Sequence, residues 1–196
     1  MDLLLVGSVF PDVVISGRLE WAKTHRCGAR LYRSLARECP SLLPFAEGVA
    51  THGLEPPGLD YWGDESFSDG ERGYSFEQAR PFVADAVAIT GVAAEDGWWK
   101  AHNFVEMAVE WLTAQRQPWL GPRLRRACEN RALVQSLEKP LEQFFGLRDG
   151  DLEASFEAFA PFVEFEPSTA DRLAAVYERQ VRHKHGRASI DRSAAA

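Results

Sequence analysis

The chain has 196 residues, of which 45% are hydrophobic, and this is enough apolar material for one core of ordinary size. Its formal net charge of -7 argues against a nucleic-acid partner, because phosphate backbones are held by clustered Lys and Arg. The three cysteines form no paired motif, which favours reduced thiols in a cytoplasmic protein. We therefore expect a single domain over residues 1–190, followed by a disordered tail at 191–196.

The first half of the chain is predicted to be helical. It begins with an apolar segment, residues 1–6, that is too short to span a membrane and lacks the basic flank of an export signal. Thr24 is predicted to cap a helix over about 24–39, on which His25 faces inward. A second helix is predicted over 41–52, with His52 on its apolar side.

The stretch 53–74 is rich in Gly, Pro and Asp, and it is longer than most connections in compact domains. Loops of this length are mostly functional or disordered, and the aromatic content of this one argues against disorder. Its aromatic residues, which would flank a substrate, are Tyr61, Trp62 and Phe67. The sequence therefore predicts a functional loop.

The rest of the chain is also predicted to be helical. One helix over 75–90 is bent near Pro81, and a long helix over 94–115 is apolar on two sides, which is typical of a central position in a bundle. The later helices, over about 120–130, 132–145 and 151–165 and from Ser168 or Thr169 to about 185, carry no obvious chemistry. Because strand signals are weak throughout, we predict an all-α, single-domain helical bundle.

Three histidines each have a carboxylate nearby in the sequence. His25 follows Asp12, His52 precedes Asp60 and Asp64, and His102 lies one helical turn before Glu106. Neutral imidazole and ionised carboxylate suit zinc and similar divalent ions, and a glutamate aimed into a core needs a cation or a hydrogen-bond partner. This pattern predicts one or two divalent metal ions bound by distant parts of the chain.

Each of these residues also has a simpler interpretation. His25 and His52 can be buried histidines bonded to backbone carbonyls, and His102 with Glu106 can be a hydrogen-bonded pair without a metal. Asp12 can be a turn residue after a proline, and Asp60 and Asp64 can be solvated loop carboxylates. The sequence leaves these alternatives open.

The order of these motifs resembles the zinc-dependent phospholipase C family. The segment Gly-Ser-Val-Phe-Pro-Asp that ends at Asp12, followed by His25, is similar to a Gly-x-x-x-Pro-Asp box with a downstream histidine. The apolar helix that ends at His52, with Asp60 beyond it, resembles a second box. His102 and Glu106, four residues apart, resemble a third. The resemblance spans roughly the first 110 residues.

This resemblance implies a helical fold like that of phospholipase C and P1 nuclease. It also implies hydrolysis of a small-molecule or lipid phosphate ester with metal-activated water. The implied metal ligands are His25, His52, His102 and Glu106, with Asp60 or Asp64 completing the shell. The resemblance implies that Asp12 bridges a metal or acts as general base.

The sequence departs from the family pattern in the long loop. Family members usually place an aspartate four residues after the second histidine, and a further histidine soon after that aspartate. Here position 56 is Pro56, and the stretch 53–74 contains no histidine. The alternative is therefore a metal-binding or metal-free helical protein of the same fold without catalytic activity.

Overall fold

The fold is all-α, as the sequence predicts. The computed structural model describes residues 1–68, 71–166, 169–186 and 190–195, leaving out the side chains of 66–68, 71 and 192. Its α-helices are α1 Asp2–Val9, α2 Trp21–His25, α3 Gly28–Glu38, α4 Leu43–His52, α5 Leu59–Asp64, α6 Tyr74–Ala79, α7 Val83–Thr90, α8 Gly97–Arg116, α9 Leu120–Cys128, α10 Arg131–Phe145, α11 Asp151–Phe159, α12 Ala170–His185 and α13 Arg192–Ala195. Over the described residues, the strands are β1 Ser66–Ser68 and β2 Glu71–Arg72, which pair antiparallel.

The chain forms two compact units. The first unit contains Met1–Trp62 and Arg123–Pro161, and the second unit contains Gly63–Pro122 and Phe162–Ala196. A single domain over 1–190 stays a prediction. The tail predicted at 191–196 includes the short helix α13.

The first unit is built on a close crossing of α1 and α4. A Cβ atom at Gly7 would lie 2.1 Å from the carbonyl oxygen of Phe45, and one at Gly48 would lie 2.1 Å from that of Leu4. The two helices therefore touch backbone to backbone, which only glycine permits. The apolar core beside this crossing contains Phe10, Leu31, Leu35, Phe45, Val49, Leu137, Leu141 and Leu152.

The predicted start of the helix over 24–39 is wrong, because the helical structure is interrupted between α2, which ends at His25, and α3, which begins at Gly28. Thr24 does not cap a helix; its hydroxyl donates a hydrogen bond to the carbonyl of Pro11 at 3.0 Å. The carbonyl of His25 accepts from the backbone N–H of Leu54 at 2.7 Å, so this acceptor is not used for a continuing helix.

The structure confirms the predicted bend near Pro81 and corrects two other predictions. A 3-10 turn, Arg80–Phe82, separates α6 from α7 at this proline. The stretch 53–74, predicted to be a loop, contains α5 and both strands. The distal part of α8 is not central, since Val109, Trp111 and Leu112 are between 38% and 49% exposed.

Two further helix ends agree with the sequence. The helix α4 ends at His52, and Thr169 caps α12 by accepting a hydrogen bond from the backbone N–H of Arg172. Within the part of the chain that the structure describes, no helix has the length and apolar character needed to cross a membrane.

Candidate metal centre

Two imidazoles of the first unit are held in one orientation by backbone carbonyls. The Nδ1 atom of His25 donates to the carbonyl of Trp21 at 3.0 Å, and Nδ1 of His52 donates to the carbonyl of Ser8 at 2.6 Å. A carbonyl can only accept, so in the neutral ring the proton is on Nδ1 and Nε2 carries a lone pair. This is the arrangement that metal-binding histidines usually show.

Two carboxylates face these Nε2 atoms. Asp60 places one oxygen 3.2 Å from Nε2 of His25 and the other 3.4 Å from Nε2 of His52. Asp12 places its oxygens 3.7 Å and 3.8 Å from the same two atoms. Charge-assisted hydrogen bonds are usually about 2.7–2.9 Å long, whereas two ligands of a tetrahedral zinc ion, each about 2.0–2.1 Å from it, lie about 3.3 Å apart. These spacings fit ligands around a shared cation.

The two acidic side chains differ in their surroundings. Asp60, in α5, is only 18% exposed, while Asp12, in the 3-10 helix Phe10–Ser16, is 53% exposed. His25 is almost fully buried, and its ring stacks on Trp21 with the ring centres 4.4 Å apart. Asp60 is therefore an enclosed group of the cluster, and Asp12 faces solvent.

Without a metal ion, the cluster is an ion pair. Burial alone would lower the pKa of His52, but the hydrogen bond to Asp60 and the charges of Asp12 and Asp60 raise it to about 9. The pKa of His25 is raised as well. Burial again opposes this shift, and Asp12 and Asp60 outweigh the effect of burial. The pKa of Asp60 is lowered, because its hydrogen bonds to His25 and His52 outweigh the effect of burial. The protonated imidazoles thus pair with the two carboxylates.

This ion pair gives the metal-free protein a pH-dependent stability. The pKa of His52 is about 9 in the folded state and about 6.5 when unfolded, so its contribution is complete below about pH 6.5 and is lost as the pH rises through 9. We expect the free energy of unfolding to fall by roughly 3 kcal/mol over this range, measured by urea denaturation in chelator. His52→Gln is expected to flatten the profile; an equally steep profile in that variant would contradict the assignment.

The second unit contains another acidic cluster around His102. Asp64, His102 and Glu106 each present one ligand atom, and these atoms lie within 4.8 Å of one another. The Nε2 atom of His102 is 4.0 Å from an oxygen of Asp64 and 3.7 Å from one of Glu106. Among the described residues this cluster and the one formed by Asp12, His25 and His52 are the two that could hold a metal ion.

An amide occupies the centre of the second cluster. The Nδ2 atom of Asn103 donates to Nε2 of His102 at 3.0 Å and to a carboxylate oxygen of Glu106 at 3.2 Å. His102 is therefore neutral with its Nε2 lone pair already engaged. An ion bound to this nitrogen has to displace the amide of Asn103.

The surroundings of His102 keep it uncharged. Its ring stacks on the ring of Phe76, with the two ring centres 4.3 Å apart. The guanidinium of Arg72 lies 3.9 Å from the centre of the Phe76 ring. Burial lowers the pKa of His102 to about 4, with the charges of Lys100 and Arg72 adding to the shift. A neutral imidazole binds metal without first losing a proton.

The structure thus places the sequence-predicted residues in two groups. His25 and His52 lie with Asp12 and Asp60, whereas His102 and Glu106 lie with Asp64. Glu106 does not point into a core as predicted, since its side chain is 43% exposed.

The loop aromatics are only partly defined. Tyr61 and Trp62 lie on α5 and contact each other edge to face, and Trp62 is 61% exposed. The side chain of Phe67 lies outside the described part of the chain.

Sequence reasoning missed two groups that shape the clusters. Trp21 holds His25 through both its carbonyl and its ring, and the spacing of four residues within a helix is the signal that could have found it. Asn103 lies three residues before Glu106, a spacing that also brings side chains together on a helix. Neither tryptophan nor asparagine is prominent among metal ligands, so a pattern of ligand types does not indicate either residue.

Comparisons of the chain with protein-family models, with curated proteins and with solved structures find no match.

Proposed function

We propose that this protein is a metal-dependent phosphoric ester hydrolase, similar to phospholipase C and P1 nuclease, with zinc as the preferred ion. The observation that carries the proposal is the convergence of His25, His52, Asp12 and Asp60, with nitrogen-to-oxygen distances of 3.2–3.8 Å. Two imidazoles and carboxylate oxygens are a donor set that suits zinc. The order of the sequence motifs that resemble this family supports the same function.

In such a site, some side chains would bind the metal ion and another would accept a proton. A bound divalent ion would polarise a phosphoryl oxygen and make water a stronger nucleophile at neutral pH. His25, His52 and the enclosed Asp60 hold the ion, because hydrogen bonds and packing fix their orientation. The half-exposed Asp12 accepts the proton of the attacking water and passes it to solvent.

The second cluster is proposed to hold an ion of its own. Asp64, His102 and Glu106 supply one nitrogen and two carboxylates. The stretch 53–74 lacks the histidine of the family pattern, and Asp64 supplies an oxygen ligand instead. The carboxylate makes this cluster a harder ligand set than two imidazoles would be. A small-molecule or lipid phosphate ester is the proposed substrate class.

The proposal is tested by zinc-dependent hydrolysis of bis(4-nitrophenyl) phosphate. His25→Ala removes a buried ligand, so we expect zinc-dependent turnover to fall by at least about a hundredfold. The rate of nitrophenolate release is measured at saturating zinc and again in chelator. His183→Ala is the matched control, because His183 is exposed and contacts Phe162 rather than either cluster. Wild-type protein that binds zinc without turnover contradicts the proposed hydrolase.

One observation favours a second candidate, a metal-binding protein without catalysis. If Asp12 is a ligand rather than a base, then His25, His52, Asp12 and Asp60 complete four-coordination and leave no open position. Closed sites of this kind are structural. Stoichiometric zinc together with a rise in thermal stability, but no hydrolysis, would identify this function.

A further inference from the structure

A small cavity in the first unit is lined by residues of α2, α3 and the end of α10. Its volume is about 190 Å³, and the residues that line it are Lys23, Arg30, Phe144 and Phe145. An apolar cavity of about 150 Å³ is large enough to hold benzene. This cavity therefore has room for one six-membered ring that carries a small polar group.

Two phenyl rings form the apolar part of this cavity. The rings of Phe144 and Phe145 meet edge to face, with their centres 4.9 Å apart, and both side chains are partly buried. Phe145 also packs on the fully buried ring of Phe10, with the two ring centres 5.5 Å apart. Because the core holds Phe145 in place, the cavity offers a fixed apolar surface to an aromatic ring, which packs on other rings edge to face or offset.

Two cations form the polar part of the cavity. Among the described residues, Arg30 has no carboxylate within ion-pair distance, and its guanidinium lies 5.9 Å from the ring centre of Phe144. That contact is at the outer limit of a cation–π interaction, so it leaves the N–H donors of Arg30 available to another partner.

The second cation, Lys23, is only weakly neutralised. Its ammonium lies 3.7 Å from a carboxylate oxygen of Glu20, but the two side chains are 56% and 74% exposed, and exposed pairs of this kind contribute little. The described residues that line the cavity thus include two cations and no anion, although the net charge of the chain is -7. An anionic ligand complements this local excess of positive charge.

We propose that this cavity binds a small aromatic anion, in which one six-membered ring carries a carboxylate or a phosphate group. The ring of the ligand packs on Phe144 and Phe145, which removes apolar surface from water. The planar guanidinium of Arg30 donates two parallel hydrogen bonds to oxygens of the anionic group, and Lys23 adds a second positive charge. The site goes beyond the proposed hydrolase, because none of the residues that line it is a candidate metal ligand.

The test measures binding to the full chain without metal, by NMR titration of isotopically labelled protein at low ionic strength. Benzoate and phenyl phosphate are the aromatic anions; benzyl alcohol has the ring without the charge, and acetate has the charge without the ring. We expect saturable binding of at least one aromatic anion, with shifts of the backbone amide signals of Arg30 and Phe144. Benzyl alcohol and acetate should bind at least about tenfold more weakly. The tighter of the two aromatic anions identifies the head group as carboxylate or phosphate.

Variants assign the binding to this cavity. Arg30→Met, at an exposed position, keeps an apolar stem of similar length and is expected to weaken binding of the aromatic anion at least about tenfold. The matched control is Arg37→Met, at an exposed arginine two turns farther along α3, which should leave the affinity unchanged. Phe144→Leu keeps apolar bulk without the flat ring, and it should weaken binding severalfold.

Two kinds of result overturn the proposal. One is a lack of saturable binding, or binding of acetate or benzyl alcohol as tight as that of the aromatic anions. The other is an unchanged affinity in both Arg30→Met and Phe144→Leu. Because zinc is absent from these titrations, failure of the hydrolase proposal leaves their result unaffected.

Discussion

Asp60→Asn is expected to abolish zinc binding to the cluster of His25 and His52, whereas Asp12→Asn is expected to keep zinc and lose turnover. Asp60 is enclosed, and its two oxygens lie 3.2 Å and 3.4 Å from the Nε2 atoms of the two histidines. The asparagine side chain has nearly the same shape as that of Asp60, but it has no negative charge to offset the positive charge of the zinc ion. Asp12 is more exposed and lies 0.4–0.5 Å farther from the same atoms.

We expect the dissociation constant for zinc to rise by more than about a hundredfold in Asp60→Asn and by less than about tenfold in Asp12→Asn. Competition with a chromophoric chelator gives these constants, and hydrolysis at saturating zinc gives the loss of turnover in Asp12→Asn. Equal losses of zinc affinity in both variants would instead make Asp12 a fourth ligand, which favours the closed, non-catalytic site.

Gly48→Ala is expected to destabilise the first unit by about 3 kcal/mol or more, because the new methyl group has no space. Its Cβ would lie 2.1 Å from the backbone oxygen of Leu4, and a backbone atom cannot rotate away as the end of a side chain can. The same crossing brings the carbonyl of Ser8 to Nδ1 of His52. Those molecules of the variant that still fold should therefore hold His52 less firmly and bind zinc more weakly than the wild type does.

Urea denaturation followed by circular dichroism measures this loss of stability. Glu47→Ala is the control, because Glu47 is an exposed neighbour on the same helix, and its change should stay within about 0.5 kcal/mol. If Gly48→Ala were as stable as Glu47→Ala, then α1 and α4 would not be in backbone contact. That result would also remove the reason for the fixed orientation of His52.

The local pattern of the sequence was sufficient for most of the helices and for the types of residue that make up the two candidate clusters. Apolar residues at helical spacing predicted α4 and its end at His52, and Pro81 predicted the interruption between α6 and α7. These features depend on residues within a few positions of one another, so they can be read without knowing the fold. The pairing of His102 with Glu106 is equally local, because both lie on one helix.

The grouping of the candidate ligands depended on contacts between distant segments. Asp60 joins His25 and His52 while Asp64 joins His102, and no local spacing distinguishes these two carboxylates. The break before α3 arises because the N–H of Leu54 uses the carbonyl of His25. The burial of Lys100 is likewise a property of packing, since a lysine in the first turn of a helix is ordinarily exposed. Periodicity reports only which face of a single helix is apolar, whereas convergence of side chains requires the backbone contacts that pack helices together.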